Sequence, residues 1–120
     1  MSDSPDLHAI LATTDQASPT RQCFLLRVRS DRLAEYVDVH QRVWAQMRDA
    51  LTRAGWRNYS LFLEEKTGLV VGYFESDDVN AAQRAMAAND VNTRWQEAMA
   101  QYFQPDGGDA QILSQYFYLP

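Results

Sequence analysis

Apolar and polar positions follow two different periods along the chain, and each period predicts an element. Residues 22–28, QCFLLRV, form a short apolar run between polar residues, which is typical of a buried strand. From residue 33 to residue 54 apolar side chains recur every three or four positions, which predicts one long helix that ends at Gly55. The stripe of this helix comprises Leu33, Tyr36, Val37, His40, Val43, Trp44, Met47, Leu51 and Ala54.

The second half of the chain repeats this change of period. Residues 58–76, NYSLFLEEKTGLVVGYFES, contain two β-rich runs that reverse at residues 66–68, which predicts a hairpin. Residues 77–103 are rich in Ala, Met, Gln and Glu and predict two helices, because Asn89 and Asp90 are better cap residues than interior ones. After the linker QPDGGD, the aromatic-rich SQYFYLP predicts a final strand at residues 114–120.

The order β-α-β-β-α-β predicts an α+β fold of the ferredoxin-like βαββαβ type, with an antiparallel sheet and helices on one face. The sheet carries too many apolar side chains for its other face to remain in water. Candidates for the two faces are Phe24, Phe62, Tyr73 and Phe117. We therefore expect the uncovered face to pack against a second copy, which makes a homodimer.

The length of 120 residues, 46% of them hydrophobic, fits one domain. We assign it to residues 21–120. Residues 1–20 are rich in Ser, Thr, Asp and Pro and predict a flexible N-terminal tail, in which HAIL could form a brief helical turn and His8 is solvated.

Charge and cysteine usage narrow the partners and the location. The formal net charge of −5, with basic residues scattered singly, argues against nucleic acid and against an anionic membrane surface. The longest apolar stretch, GLVVGYF, is far shorter than the roughly 20 residues that span a bilayer. Cys23 is the single cysteine and the N-terminus does not resemble a secretory signal, so we expect a cytoplasmic protein.

Several motifs that would indicate particular chemistries are missing. The sequence contains no glycine-rich phosphate loop, so nucleotide binding lacks support, and no C-x-x-C, H-E-x-x-H or EF-hand spacing, so we predict no metal. A Ser-His-Asp hydrolase is disfavoured because no nucleophile elbow occurs and Asp38 points off the face that carries His40.

Three ring-bearing residues, Tyr36, His40 and Trp44, are spaced by four and predict one side of a helix. A phenol, an imidazole and an indole in one hollow suit a carbohydrate, since aromatic faces cover the C–H side of a sugar and polar groups meet its hydroxyls. Asn58 and Tyr59, at the start of the next strand, would add polar contacts. The same spacing is also typical of hydrogen-bonded core residues, so it leaves both interpretations open.

Four segments in the same order resemble the L-rhamnose mutarotase family over all of the chain except its tail. They are EYVDVHQRVW, AGWRNYSLFLE, DVNTRWQEAM and the terminal YFYLP. The resemblance implies a dimeric α+β barrel and a cofactor-free isomerase that interconverts the α and β anomers of a free 6-deoxy hexose, most directly L-rhamnose. It also implies that His40 is the proton donor, that Tyr36, Tyr59 and Trp95 contact the sugar, and that Asn58 belongs to the family's NY pair.

The sequence departs from the family where two adjacent tryptophans are usual, because Gln96 follows Trp95. An amide in place of an aromatic wall makes L-fucose an alternative substrate, since the amide can read a differently directed hydroxyl. The proline that commonly follows the tryptophan is also replaced, by Ala45 after Trp44.

Histidine suits anomer exchange because its ordinary pKa of about 6.5 keeps both protonation states accessible near neutrality. His40 can then protonate the ring oxygen and recover the proton on closure, with a tyrosine that orients hydroxyls or shares the relay. The competing classes are a dimeric α+β barrel monooxygenase for apolar aromatic substrates and a non-catalytic binding or dimerisation module. A polar hollow around His40 favours a sugar, and a wholly apolar one favours the monooxygenase.

Overall fold

The computed structural model describes residues 6–13 and 19–120. The strands are β1 (Arg21–Arg27), β2 (Arg57–Glu64), β3 (Leu69–Glu75) and β4 (Gln111–Ile112), and the α-helices are α1 (Leu7–Thr13), α2 (Leu33–Val39), α3 (Ala45–Ala54), α4 (Val79–Ala87) and α5 (Asp90–Met99). Short 3₁₀ turns occupy Ser30–Arg32, His40–Arg42 and Ala100–Tyr102.

The four strands form one antiparallel sheet in the order β2-β3-β1-β4. The central pair β1 and β3 runs in unbroken register from Arg21 opposite Glu75 to Arg27 opposite Leu69. This order, with helices between β1 and β2 and again after β3, is the ferredoxin-like arrangement. The predicted α+β fold is therefore confirmed.

The two faces of the sheet differ in burial. Alternate residues of β3 are buried, and Val70 and Phe74 lie on the side that the helices cover, with Val28 fully buried beside them. The opposite face, here called the outer face, carries Leu25, Val71 and Tyr73, which are half-buried, and Phe62, which is 62% exposed.

The helix predicted over residues 33–54 is interrupted, which corrects that prediction. It ends at Val39, continues as a 3₁₀ turn, and passes through Val43 and Trp44 in extended conformations, with ψ of 134° and 136°, before α3 begins. The apolar spacing continues across the break because both helices bury the same side of the chain: Tyr36 on α2 and Met47 on α3 belong to one core cluster. Periodicity therefore could not reveal the break.

Other predicted boundaries are confirmed. Gly55 ends α3 in the left-handed conformation with φ of 99°, and Gly68 reverses the hairpin with φ of 77°. Asn89 separates α4 from α5, where its side-chain oxygen accepts hydrogen bonds from the backbone of Val91 and Asn92.

The last strand lies earlier than predicted. β4 consists of residues 111–112, which pair with Phe24 and Leu25, and residues 114–120 are not a strand. After Leu113 donates to the carbonyl of Cys23 the chain leaves the sheet edge, so its aromatic side chains find no pairing strand and Phe117 remains 67% exposed. The predicted strand at 114–120 is therefore wrong for the single chain.

The N-terminal tail contains a helix, α1, over the segment where a brief helical turn was expected, and His8 is exposed there. Residues 1–5 and 14–18 of the predicted flexible tail lie outside the described residues. Within residues 6–13 and 19–120, each helix is too short or too polar to cross a membrane.

Candidate active site

A cavity of about 740 Å³ lies between the helices and the inner face of the sheet, and it is large enough for a monosaccharide. Four of the seven residues that we predicted for the site line it: His40, Tyr59, Trp95 and Gln96. The remaining lining residues are Gln41, Val43, Met47, Arg48, Leu51, Thr52, Trp56, Leu61, Gln83, Met86, Ala87 and Asn92.

His40 lies in the 3₁₀ turn that follows α2, and its ring is fixed by one hydrogen bond. Nδ1 is 2.8 Å from the carbonyl oxygen of Tyr36, one helical turn earlier. A carbonyl only accepts, so Nδ1 carries the proton and Nε2 of the neutral ring is an acceptor. Burial lowers the pKa of His40, and the hydrogen bond to Tyr36 opposes that shift. The neutral imidazole therefore predominates near pH 7.

Tyr36 lies against the imidazole and away from the cavity lining. The two ring centroids are 4.3 Å apart, and the rings of Tyr102 and Phe103 contact the phenol at 6.1 and 5.7 Å. Only 4% of Tyr36 is exposed, and burial raises its pKa to about 12. The phenol thus remains protonated across the physiological range and can act as a hydrogen-bond donor.

Tyr59 on β2 reaches the cavity from the sheet. Its ring contacts Trp56 at 4.9 Å and lies 6.3 Å from Phe24 and from Phe74. Burial raises the pKa of Tyr59, and electrostatic interaction with Tyr36 raises it further. Both phenols are therefore neutral donors at physiological pH.

Two tryptophans continue the aromatic contacts of His40. Trp95 on α5 is buried and meets the imidazole edge-to-face, with centroids 5.4 Å apart. Trp44 packs on the far side of Trp95 at 5.0 Å and is 40% exposed. Trp44 therefore supports the cavity wall and does not line the cavity.

Amide side chains form the polar part of the wall. Gln96 donates to Oδ1 of Asn92 at 3.2 Å, and Asn92 donates to the carbonyl of Met86 at 2.9 Å. Gln83 donates to Oε1 of Gln22 at 2.5 Å. These bonds leave part of each amide's hydrogen-bonding capacity available to a ligand.

Asn58 does not join this group. Its Nδ2 donates to Oε1 of Glu75 at 2.7 Å, and Glu75 lies on the outer face of the sheet. The side chain of Asn58 therefore lies on the outer face in the single chain and does not line this cavity.

Sequence reasoning missed several lining residues, among them Trp56, Gln83 and Asn92. Only Asn92 had a usable signal, because it precedes Trp95 by three residues and Gln96 by four and so shares their side of α5. Trp56 and Gln83 depend on how the sheet and α4 pack, which spacing does not encode.

The cavity lining combines one imidazole, the neutral phenol of Tyr59, amides, indole faces and the guanidinium of Arg48. Within the described part of the chain, neither Asp nor Glu lines it, and no group of three His, Cys, Asp or Glu side chains is arranged to hold a metal ion. The arrangement suits acid–base chemistry on a polyhydroxylated ring: the indoles cover apolar faces, and the amides and phenols meet hydroxyls.

Known proteins have similar sequences and the same fold. The family model described as L-rhamnose mutarotase matches residues 21–119. The chain is 32% identical over 102 residues to an L-rhamnose mutarotase of Bacillus subtilis, covering 82% of this chain and 97% of that relative. A solved L-rhamnose mutarotase from Formosa agariphila superposes with a TM-score of 0.70 at 20% identity, covering 83% of this chain and 98% of that one.

A solved antibiotic biosynthesis monooxygenase also superposes, with a TM-score of 0.58 and 15% identity over 84% of this chain and 99% of that one. At such identities the superposition of either structure shows a shared fold and says nothing about a shared reaction.

Proposed function

Because the chain belongs to the L-rhamnose mutarotase family, we propose that it is an isomerase that interconverts the α and β anomers of a free 6-deoxy hexose, with L-rhamnose as the first candidate. The observation that carries this proposal is the setting of His40, whose Nε2 belongs to a ring that lines a sugar-sized cavity with Tyr59 and Trp95.

Anomer exchange moves one proton and breaks one ring bond. The O1–H bond is broken by a base, the C1–O5 bond breaks, a C1–O1 double bond forms, and a proton is delivered to O5. Rotation about the C1–C2 bond then presents the other face of the carbonyl, and the reverse steps close the ring. No proton is gained or lost overall, so a single acid–base group can serve both oxygens of C1.

His40 has the properties that this cycle requires. The lowered pKa keeps Nε2 unprotonated at the start, so the ring accepts the proton of O1. The imidazolium that forms is then the acid that protonates O5. The hydrogen bond from Nδ1 to the Tyr36 carbonyl supports this charged form, because it raises the pKa against burial. His40 is therefore proposed both to remove and to return the proton.

The two phenols are proposed to orient the sugar. Their raised pKa values keep Tyr36 and Tyr59 protonated, which makes them poor bases and good donors to hydroxyl or ring oxygens. Tyr59 lines the cavity and is the direct contact, whereas Tyr36 lies behind His40 and reaches a ligand only next to the imidazole.

The polarity of the cavity favours a sugar over the monooxygenase alternative. An apolar aromatic substrate would leave the remaining hydrogen-bonding capacity of Gln83, Asn92 and Gln96 unmet on desolvation, which costs free energy. A sugar supplies those partners through its hydroxyls. The indole of Trp95 and the side chains of Met47 and Met86 remain for the C–H faces and the methyl group.

The identity of the sugar depends on Gln96. Its amide lines the cavity and is oriented by Asn92, so it is available to form a hydrogen bond that depends on the direction of one sugar hydroxyl. L-rhamnose and L-fucose differ in the direction of two hydroxyls, and L-fucose is therefore the second candidate substrate.

We also propose a homodimer and a cytoplasmic location. The homodimer is supported by the outer face, where Phe62, Val71 and Leu25 present apolar surface that a second sheet would cover. The cytoplasmic location is supported by Cys23, the single cysteine of the sequence, which is a free thiol.

The reaction is tested by NMR magnetisation transfer between the anomeric protons of L-rhamnose and, separately, of L-fucose, with the spontaneous rate subtracted. The proposal expects protein-dependent exchange that is proportional to protein concentration and larger for L-rhamnose. Exchange that equals the spontaneous rate for both sugars would overturn it.

A further inference from the structure

Strand β2 contains an irregularity next to the cavity. Arg57 pairs with Glu75 and Ser60 pairs with Tyr73, so the chain advances from residue 57 to 60 on β2 while it advances only from 75 to 73 on β3. One strand therefore carries one residue more than its partner, which defines a β-bulge.

Asn58 adopts the backbone conformation that accompanies this bulge. Its φ is 50°, in the left-handed region, which non-glycine residues rarely occupy and which Asn tolerates best together with Asp. Its Nδ2 donates to Oε1 of Glu75 at 2.7 Å, and the hydroxyl of Tyr73 donates to Oε2 of the same carboxylate at 2.5 Å. Glu75, a residue of β3, thus links Asn58 in the bulge to Tyr73 on the outer face through these two hydrogen bonds.

The bulge coincides with a break in the alternation of side chains next to Tyr59. In a regular strand, side chains three residues apart lie on opposite faces. Trp56 and Tyr59 are three residues apart, yet both rings lie on the inner side of the sheet, 4.9 Å from each other, and both line the cavity. Trp56 stacks on the buried Phe74 at 3.6 Å, so the inner position of this pair is unambiguous.

We propose that Asn58 is a positioning residue, whose left-handed backbone rotates β2 so that the phenol of Tyr59 enters the cavity, with the hydrogen bond to Glu75 as a lesser contribution. Asn58 acts from the opposite face of the sheet and does not touch the sugar. The kinetic part of the inference rests on the proposed mutarotase function.

Substitutions at Asn58 separate the backbone from the side chain. Glycine adopts a left-handed φ without strain, so N58G should keep kcat/KM for L-rhamnose within about threefold of the unsubstituted protein. Alanine disfavours that φ, so N58A should lower kcat/KM by more than about tenfold. Asp106 is the matched control, because its φ is 60° and it does not line the cavity, and D106A should leave kcat/KM unchanged.

A double-mutant cycle with Y59F tests whether the effect passes through Tyr59. If it does, adding N58A to Y59F should lower kcat/KM by less than about threefold, because the phenol is already absent. An equal loss from N58A with and without Tyr59, or no loss from N58A at all, would overturn the proposal. If N58A does not fold, N58S in the same cycle decides, because serine, like alanine, disfavours the left-handed φ.

A second readout is independent of activity. The difference in alkaline absorbance titration between the protein and its Y59F variant isolates Tyr59, whose pKa burial raises. In N58A this component should titrate closer to the ordinary tyrosine pKa of about 10, and in N58G it should remain raised. An unchanged Tyr59 titration in N58A contradicts the inference, whether or not the protein exchanges the anomers of any sugar.

Discussion

The Nδ1 atom of His40 donates a hydrogen bond to the carbonyl oxygen of Tyr36 at 2.8 Å, one turn earlier in the chain. This bond fixes the tautomer of the imidazole, because a carbonyl cannot donate. It explains why an ionisable ring occupies an apolar stripe. A leucine would pack there, but it could not place a proton acceptor at the surface of a cavity.

The pH dependence of exchange follows from the lowered pKa of His40. The proposed cycle starts from the neutral imidazole, so kcat/KM should rise with pH, reach half its maximum below the ordinary histidine pKa of 6.5, and stay level through neutrality. Anomer exchange measured across this range checks the prediction. A half-maximal value at or above 6.5 would mean that the site stabilises the imidazolium, contrary to its burial.

The free energy of unfolding should also depend on pH because the pKa of His40 is lowered in the folded protein. The unfolded chain binds a proton at His40 at a higher pH than the folded protein, so the free energy of unfolding should rise with pH between the lowered folded pKa and about 6.5. Above about pH 6.5 the contribution of neutral His40 to the free energy of unfolding is fully present, and it is lost as the pH falls through the lowered folded pKa. Denaturant unfolding of the protein and of H40Q should show this rise only in the protein that retains His40.

Loss of the Tyr59 hydroxyl should weaken catalysis without unfolding the protein. Y59F keeps the ring contacts with Trp56 and removes one neutral donor to the sugar, so kcat/KM should fall by roughly tenfold, as expected when a ligand hydroxyl loses its partner. Y116F is the control, because Tyr116 is 75% exposed and does not line this cavity. Equal effects of Y59F and Y116F on kcat/KM would show that the Tyr59 hydroxyl does not contact the sugar.

Replacement of Gln96 should change the preference between sugars. Q96W removes the amide and restores the aromatic pair typical of the family, so the ratio of kcat/KM for L-rhamnose to that for L-fucose should rise by roughly tenfold. Gln46 on α3 does not line the cavity, and Q46W should leave the ratio unchanged. A constant ratio in Q96W would show that Gln96 reads no hydroxyl.

Association should depend on the outer face of the sheet. Phe62 is 62% exposed there, and F62E would place a charge within the proposed contact, so the substituted chain should elute as a monomer in light-scattering chromatography. V37E alters an exposed apolar residue on α2 and should leave a dimer. If F62E still forms a dimer, a surface other than the outer face forms the contact between the two chains.

Local signals predicted much of this molecule. Gly55 and Asn89 carry stop and cap chemistry that depends only on neighbouring backbone, so the element order followed from them. The break at Val43 and Trp44 was not predictable, because the apolar spacing continues through it. The position of β4 depends on pairing with β1, which no pattern inside residues 111–120 encodes.

The site residues that carry local sequence signals were predicted, and those that depend on how the strands pack were not. His40, Trp95 and Gln96 follow from helical spacing and from the family resemblance, and all three line the cavity. Asn58 was assigned to the cavity because it adjoins Tyr59, but neighbouring residues of a strand face opposite sides. Adjacency in sequence therefore identified the strand but not the face on which the Asn58 side chain lies.

The central claim, that His40 transfers the proton, is tested most directly by H40Q. A glutamine at this position can keep the anchoring bond, as Gln41 shows by donating to the carbonyl of Val37 at 2.8 Å, but it cannot exchange a proton near neutrality. Exposed His8 supplies the matched control, H8Q. Proton transfer by His40 requires that H40Q is folded and that its exchange of L-rhamnose anomers falls by about 10² to 10⁴, while H8Q retains full exchange. Full exchange by a folded H40Q would contradict it.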